Sequence, residues 1–459
     1  MGFNTLPFIF IFLPVFLAVY YLMPERLRNG VLTLGSLVFY LLGTWKRPWC
    51  LALLLGLMAL TWLSGRKLAG SKPLLVGNLL VLGLCLFGFK YAGLLGSGIA
   101  LPLGLSFYSF QMAAYVIDVY RGRMEPEECP VSYAAEVLMF PKLLSGPLMD
   151  PAELKAQMYR RTCTLRELDI GLRDFIIGLS MKVLLANQIG GLWRQVKTIG
   201  FESISTPMAW LGLVAYSLQL YLDFCGYSWM AIGVGELLGF RLPRNFEHPY
   251  AARSMRDFWR RWHISLSSWV RDYLFLPLSS FIRRWGQWGV AASLMVTFIA
   301  LGVWHGAGWT FAVYGFIQGL VIVWELRTER IRNKVRKHIG GRLFATLSVI
   351  RTYLIFAVSL VFFKAQSVSD AFYFLRNISF QTHASWKEIN IGMSDHICIV
   401  AGAALLLMLL YDYLMSKRNQ HRRLERQPIL LRWTIYYLIV FALFAYGKFG
   451  TENFIYLQF

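Results

Sequence analysis

RDFWRRWHISLSSWVRDYLFLPL at residues 256–278, followed by GVWHGAGW at 302–309, decides how the rest of this chain is read. Trp259, Arg260, Arg261, Trp262, His263, Trp269 and Arg271 fall within thirteen residues, and His305 follows between Trp304 and Gly306. The flanking stretches are strongly apolar. Charge beside lipid is costly, so polar groups in such company are buried in protein or set in a wet cavity. The whole region from Asn245 to Trp309 is therefore where chemistry is expected.

Outward from that stretch, the chain has the composition of a polytopic membrane protein. It is 57% hydrophobic and 16% aromatic over 459 residues, with a mean hydropathy of +0.50. Several runs approach the roughly 20 apolar residues that carry a helix across a bilayer. Without water to satisfy the backbone, an all-α helical bundle is expected, and the alternating pattern of a membrane β-barrel is absent. Twelve spans are predicted: Leu6–Met23, Val31–Trp45, Trp49–Ser64, Leu74–Leu95, Ile99–Ile117, Asp169–Ile189, Met208–Leu222, Trp288–Val303, Trp309–Leu326, Phe344–Phe363, His396–Met415 and Trp433–Tyr446. Leu6–Met23 has no basic stretch before it and no small-residue cleavage site after it, so it reads as a retained span. The chain reads as a single integral domain over 1–459: spans at 1–100, a catalytic core at 101–326 and further spans at 327–459.

The net charge of +21 does not indicate nucleic acid, because cations in short loops are what the positive-inside rule predicts. The segments 327–342 and 417–432 are dense in Arg and Lys and are expected in the cytoplasm. Counting back places the 241–284 block there too. Two stretches resist a simple span count. Leu138–Leu148 is short and broken by Pro141, Gly146 and Pro147, and Tyr227–Phe240 follows a span closely; both are expected to be re-entrant or half-buried helices, enclosed by protein. Residues 256–284 read as an amphipathic helix near the cytoplasmic face, anchored by Trp259, Trp262 and Trp269. Six cysteines show no CxxC pair and read as buried thiols.

His305 lies in a glycine-rich break, and a histidine there can remove a hydroxyl proton near neutral pH. Gly306 and Gly308 would permit close approach by a substrate. The plainer reading is a core histidine donating one hydrogen bond. In a continuous helix, His263 would share a face with Trp259 and Ser267; its plainer reading is an interfacial residue near lipid headgroups. Asp223, acidic in an apolar run, reads either as half of a packing ion pair or as a group that orients an imidazole. Walker, dinucleotide and HExxH signatures are missing, so ATPase, dehydrogenase and zinc-protease readings have no support, and no metal site is expected.

RNFEHPY at 244–250, the 256–278 block and VWHGAGWTFAVYGFIQGL at 303–320 resemble the membrane-bound O-acyltransferase (MBOAT) family. Within it they resemble the bacterial branch of alginate O-acetyltransferase membrane subunits and teichoic acid D-alanyl transfer proteins. LPLGLSFYSFQMAAYVIDVYRG at 101–122, FPKLLSGPL at 140–148, YLDFCGYSWMAIGVGELLGFRLPRNF at 221–246 and the ending NFIYLQF agree. The resemblance runs from Leu101 onward. It implies a central tunnel through which an acyl group passes from a cytoplasmic donor, acetyl-CoA in the first instance, towards an exported polysaccharide. It also implies an inner-membrane location, no metal and a periplasmic SGNH-type acetyltransferase as partner. The family's essential histidine falls on His305 and its second histidine on His263, with Asp223, Trp304 and Asn245 in support. Arg260, Arg261 and Arg271 are candidates for docking the donor's phosphates. One departure stands out: Trp229 occupies a position where relatives often carry an acid. D-alanyl transfer from a carrier protein, or transport of a lipid-linked sugar, are the rival functions.

Overall fold

A peptide group in hydrocarbon must find its partner within its own segment, and in the computed structural model the chain meets that demand with helices. The structure describes residues 2–92, 100–201, 204–380 and 427–450, with Gly402, Leu405, Leu406 and Phe454. A π turn at Phe8–Phe12 leads into α1 (Leu13–Leu22), then α2 (Arg28–Thr44), α3 (Trp49–Gly65) and α4 (Lys72–Tyr91). Next come α5 (Leu105–Tyr120), α6 (Pro130–Leu138), α7 (Phe140–Leu143) and α8 (Pro151–Tyr159). α9 (Leu165–Ser180), a π turn at Met181–Ala186 and α10 (Asn187–Ile199) form one rod beside α11 (Thr206–Leu237). The block quoted first supplies α12 (Met255–Trp259), α13 (Ile264–Val270) and α14 (Leu276–Phe281). An antiparallel pair follows, α15 (Gly286–His305) and α16 (Trp309–Arg327), then α17 (Glu329–Ile339), α18 (Gly341–Lys364), α19 (Val368–Phe380) and α20 (Ile429–Tyr446).

Seven described segments are long and apolar enough to cross a bilayer: α4, the α9–α10 rod, α11, α15 with its preceding turn, α16, α18 and α20. Phe8–Leu22 and Trp49–Gly65 are shorter apolar helices, and the span expected at His396–Met415 lies outside the described residues. The chain is thus an all-α, multi-pass membrane protein. Its core is α11 and the α9–α10 rod, each buried over 78% of its apolar window, against 17% for α4 and 6% for α20. The peripheral helices turn Leu84, Phe441 and Phe444 outward, as surfaces facing lipid would.

The central pair is held by glycine. A Cβ at Gly171 would lie 2.7 Å from the Gly233 carbonyl oxygen, and one at Gly226 would lie 2.7 Å from that of Gly178. Both pairs repeat after seven residues, so one small-residue seam faces another and the two backbones touch. Aromatic rings fill the space around Phe140, which meets Phe12, Phe16 and Phe39 at 5.4, 5.2 and 5.3 Å.

Three expectations change in detail. Tyr227–Phe240 is no re-entrant segment, because α11 runs unbroken to Leu237. Asp223, Gly226 and Ser228 interrupt its apolar run, and they are tolerated because this part of the helix is enclosed on every side. Ile99–Ile117 becomes α5, which begins only at Leu105 after a left-handed turn at Gly104 (φ 74°) and is buried nearly throughout. Of the cysteines, Cys50 and Cys225 are buried, but Cys85 and Cys163 are half-buried and Cys129 is exposed; Cys398 lies outside the described residues. Leu138–Leu148, which comprises the end of α6, α7 and the coil after them, is buried in protein throughout.

Overpacking a filled contact costs about 1–3 kcal/mol. Gly171→Val and Gly233→Val should each lower the thermal midpoint in detergent and reduce membrane abundance. Gly83→Val on α4, where nothing lies within 4 Å of a new Cβ, should leave both unchanged. Equal behaviour of all three would show that the α9–α11 seam is not what holds the bundle.

Candidate functional site

α15 ends at His305 because Gly306 is fully extended (φ −171°), and α16 starts three residues later at Trp309. The two helices approach closely, since a Cβ on Gly302 would lie 3.0 Å from Gly315 Cα. That contact brings Tyr314 of α16 to the imidazole, and α18 brings Phe363. Ring centroids lie 4.6 Å (Trp304), 5.0 Å (Phe363) and 6.4 Å (Tyr314) from His305, which is only 4% exposed. Gly306 does not stand open to a substrate as expected: a Cβ there would fall 2.7 Å from Phe311 Cζ. Its glycine makes room for a ring of the protein itself.

His263 overturns the continuous helix expected over 256–284. It adopts a left-handed conformation (φ 45°, ψ 53°) between α12 and α13, so Trp259 and Ser267 do not share its face. The reversal is held by the loop before α12. Glu247 N donates to the Arg261 carbonyl at 3.0 Å, and Ile264 N to that of Asn245 at 2.9 Å. Asn245 Oδ1 accepts from Ser265 N (3.3 Å) and Oγ (2.6 Å), while its Nδ2 donates to Ser228 Oγ on α11 at 3.0 Å. Asn245 is therefore a structural clamp that fixes where His263 stands.

The His263 ring is 1% exposed and meets the edge of Phe224 at 4.5 Å. Burial pushes this imidazole down to about 3, so it is neutral at physiological pH. Trp259 and Trp262 are not interfacial anchors. Both are buried: Trp262 lies 5.1 Å from both Phe246 and Phe356, and Trp259 Nε1 donates to Gln318 Oε1 at 3.2 Å. Hydropathy alone does not separate a tryptophan packed on phenylalanines from one packed on lipid. In the later part of the block Phe281 and Trp285 are exposed beside Arg283 and Arg284.

The fold brings the two histidine-bearing segments together through aromatic rings. Trp269 stacks on Phe110 at 4.4 Å, and Phe110 meets Trp304 at 5.6 Å, which ties α13 to the end of α15. The arginines do not join them. Arg260 is exposed, Arg261 pairs with Asp257 at 2.9 Å and Arg271 pairs with Asp272 at 2.7 Å. Asp223 bonds Lys182 of the π turn in a buried ion pair. Trp229 carries the Arg244 guanidinium 5.6 Å over its ring, so it meets a cation with its π face.

Sequence reasoning missed Lys182 and Gln318, although each is a polar residue inside an apolar run and that signal was available. It also missed that the chain's end returns to the core. Asn187 Nδ2 donates to the Lys448 carbonyl at 2.7 Å, and Phe454 stacks on Tyr227 at 4.4 Å.

A buried pair that loses one partner leaves an uncompensated charge, at a cost of about 3–5 kcal/mol, while an apolar pair of similar volume is often neutral. Asp223→Ala and Lys182→Ala should each fall sharply in abundance and thermal midpoint. The double variant Lys182→Met/Asp223→Leu should recover most of both. If it is abundant and inactive, Asp223 has a role beyond packing.

Comparison with known proteins agrees with this geometry. The family model "MBOAT, membrane-bound O-acyltransferase family" matches residues 129–363, which contain both histidines. The chain is 35% identical over 395 residues to the probable alginate O-acetylase of Pseudomonas aeruginosa, covering 81% of this chain and 73% of that one. It is 29% identical to the peptidoglycan O-acetyltransferase of Helicobacter pylori, covering 96% and 95% respectively. It is 27% identical to the teichoic acid D-alanyltransferase of Bacillus subtilis, covering 55% and 65%. With a family match over the histidine-bearing core and acetylase relatives along most of its length, the chain belongs to the membrane-bound O-acyltransferase family and is an acyltransferase.

Proposed function

We propose that this acyltransferase moves an acetyl group from cytoplasmic acetyl-CoA across the inner membrane for O-acetylation of an exported polysaccharide such as alginate. The observation that carries the reading is the enclosure of His305 by Trp304, Tyr314 and Phe363, with the segment that follows His263 tied to the same cluster through Trp269 and Phe110. A thioester is already activated, so transfer needs a base and a positioned acceptor rather than a metal. His305 takes the proton of the attacking hydroxyl and returns it to the leaving thiolate. His263, neutral and fixed by the Asn245 clamp, orients the reactants. The aromatic walls keep bulk water from the activated acyl group.

The acetyl donor is preferred to a D-alanyl carrier because the acetylase relatives match 81% and 96% of the chain, against 55% for the D-alanyltransferase. The acceptor hydroxyl belongs to the polymer itself or to a periplasmic SGNH-type acetyltransferase that completes the transfer. The dense cations of 327–342 support a cytoplasmic position for that segment and for the donor side of the site. Arg260 and Arg271, exposed on the same block as His263, provide a landing surface for donor phosphates.

General-base catalysis contributes about 10²–10⁴-fold, so His305→Ala and His305→Asn should nearly abolish ester on the exported polymer at normal protein level. His263→Ala should leave partial activity. Normal acetylation in His305→Ala cells would end this reading, and unchanged polymer export with lost ester would exclude a transporter.

Charge reversal at Arg260 and Arg261 should raise KM for acetyl-CoA more than it lowers kcat. Arg261 also loses its Asp257 partner in that variant, so Arg260→Glu alone is the cleaner measurement. Normal kinetics in the surviving enzyme would reduce these arginines to membrane anchors.

A further inference from the structure

The end of α4 docks on the end of α15. Tyr91 Oη donates to the Val303 carbonyl at 2.8 Å, and the Lys90 ammonium sits 5.1 Å from the centroid of the Trp304 ring. Two consecutive residues of a peripheral helix are therefore fixed against the two residues that precede His305. Among the described residues no carboxylate pairs with Lys90, and the following stretch GLLGSGI at 93–99 contains no acidic residue. A half-buried ammonium at a span's end without a counter-anion is costly, and the indole face alone repays only part of it. Trp304 shows a matching feature. Its Nε1 is buried with no hydrogen-bond partner among the described residues, and such a donor loses the full cost of its desolvation. Two unspent donors, one charged, thus flank the proposed base.

We propose that Lys90 and the Trp304 indole N–H form the anion-stabilising half of the site, holding the carbonyl oxygen of the transferred acyl group as it becomes negative. This rests on the acyl-transfer reading given above. The acceptor oxygen bonds to the thioester carbonyl carbon while its proton passes to His305, and the carbonyl π pair moves onto oxygen. The resulting oxyanion is held by the ammonium and the indole N–H. Collapse re-forms the carbonyl and breaks the carbon–sulfur bond, and the thiolate leaves with the proton from His305. Base and oxyanion donors must lie on either side of one carbon, about 3 Å from each. The structure sets the Trp304 indole beside the His305 imidazole, ring centroids 4.6 Å apart, with Lys90 against the indole. A carboxylate elsewhere on an acidic acceptor would sit farther from the imidazole, which is why the acyl oxygen is the preferred occupant. Lys90 suits the task as a compact charge on a flexible stem.

The test uses full-length protein in its membrane, with four variants: Lys90→Met, Lys90→Arg, Trp304→Phe and His305→Ala. Ester on the exported polymer is measured per unit of protein, and kcat and KM are measured in washed membranes supplied with acetyl-CoA. Removing a cation from a span does not hinder insertion, so Lys90→Met should reach normal abundance. Its kcat should fall about 10²-fold with KM for acetyl-CoA and for acceptor within about twofold. Trp304→Phe should lose about tenfold, and Lys90→Arg should recover a substantial part by keeping the charge. Normal kcat in Lys90→Met beside a dead His305→Ala would overturn the inference and leave the acyltransferase reading standing. A loss confined to the acceptor's KM would overturn it in favour of acceptor recognition. Equal failure of the Arg and Met variants would reduce Lys90 to a packing role. Normal ester in His305→Ala would remove the reading and the inference together.

Discussion

Backbone contact between α9 and α11, made possible by Gly171, Gly178, Gly226 and Gly233, sets the register from which the core of the site is placed. With the two helices locked, Asp223 on α11 meets Lys182 on the π turn that continues α9. One residue on, Phe224 presents its edge to His263. One turn beyond, Ser228 takes the hydrogen bond of Asn245, which fixes the loop that fixes His263. A shift of one residue in the seam would separate all three contacts. The unit that matters is therefore a helix pair, and the histidine-bearing block is fastened to it from outside. In lipid, where burial of apolar surface gives no net drive between helices, close backbone packing is the means that remains.

The same constraint explains why so much polar chemistry survives at depth. Asn245, Ser265, Ser228 and the Leu148 amide form one connected set with good geometry, 2.6 to 3.3 Å. Gln318 joins Trp259 to Ser359 across three helices. Satisfied networks of this kind rigidify a core because breaking one member strands the others. His263 and His305, by contrast, are surrounded mainly by rings. Ring packing on several sides holds each imidazole in place.

The class of the fold was legible because hydropathy over about 20 residues is a direct physical consequence of bilayer thickness. His263 and His305 were legible because glycine breaks and cations inside apolar runs are expensive and need a reason. What the sequence could not show was which neighbour covers a side chain. Trp259 and Trp262 were read as facing lipid, since phenylalanine from α18 and hydrocarbon chains look alike in one dimension. The left-handed turn at His263 was hidden for a related reason: its cause is Asn245, eighteen residues earlier, acting through long-range hydrogen bonds. α11 was cut short at Leu222 because the acidic Asp223 follows, when its partner on another element makes it part of the span. Local pattern thus locates the expensive residues, and only tertiary contact says what relieves the expense.

That difference also orders the cations. Arg261 and Arg271 each have a carboxylate within a turn of helix, and Lys182 has Asp223. Arg351 has Glu325 at 2.8 Å, and Lys155 has Glu127 at 3.6 Å. Some cations at the edges of the fold also have an acid beside them, where water would suffice. Among the described residues Lys90, set against the Trp304 ring beside His305, has no such acid, and a permanent carboxylate there would be a disadvantage. It would occupy the position in which charge develops during transfer and would repel it. An ammonium held by an aromatic face keeps its charge uncommitted until the reaction supplies the anion, and this follows from the preference of catalysis for the transition state over the resting state.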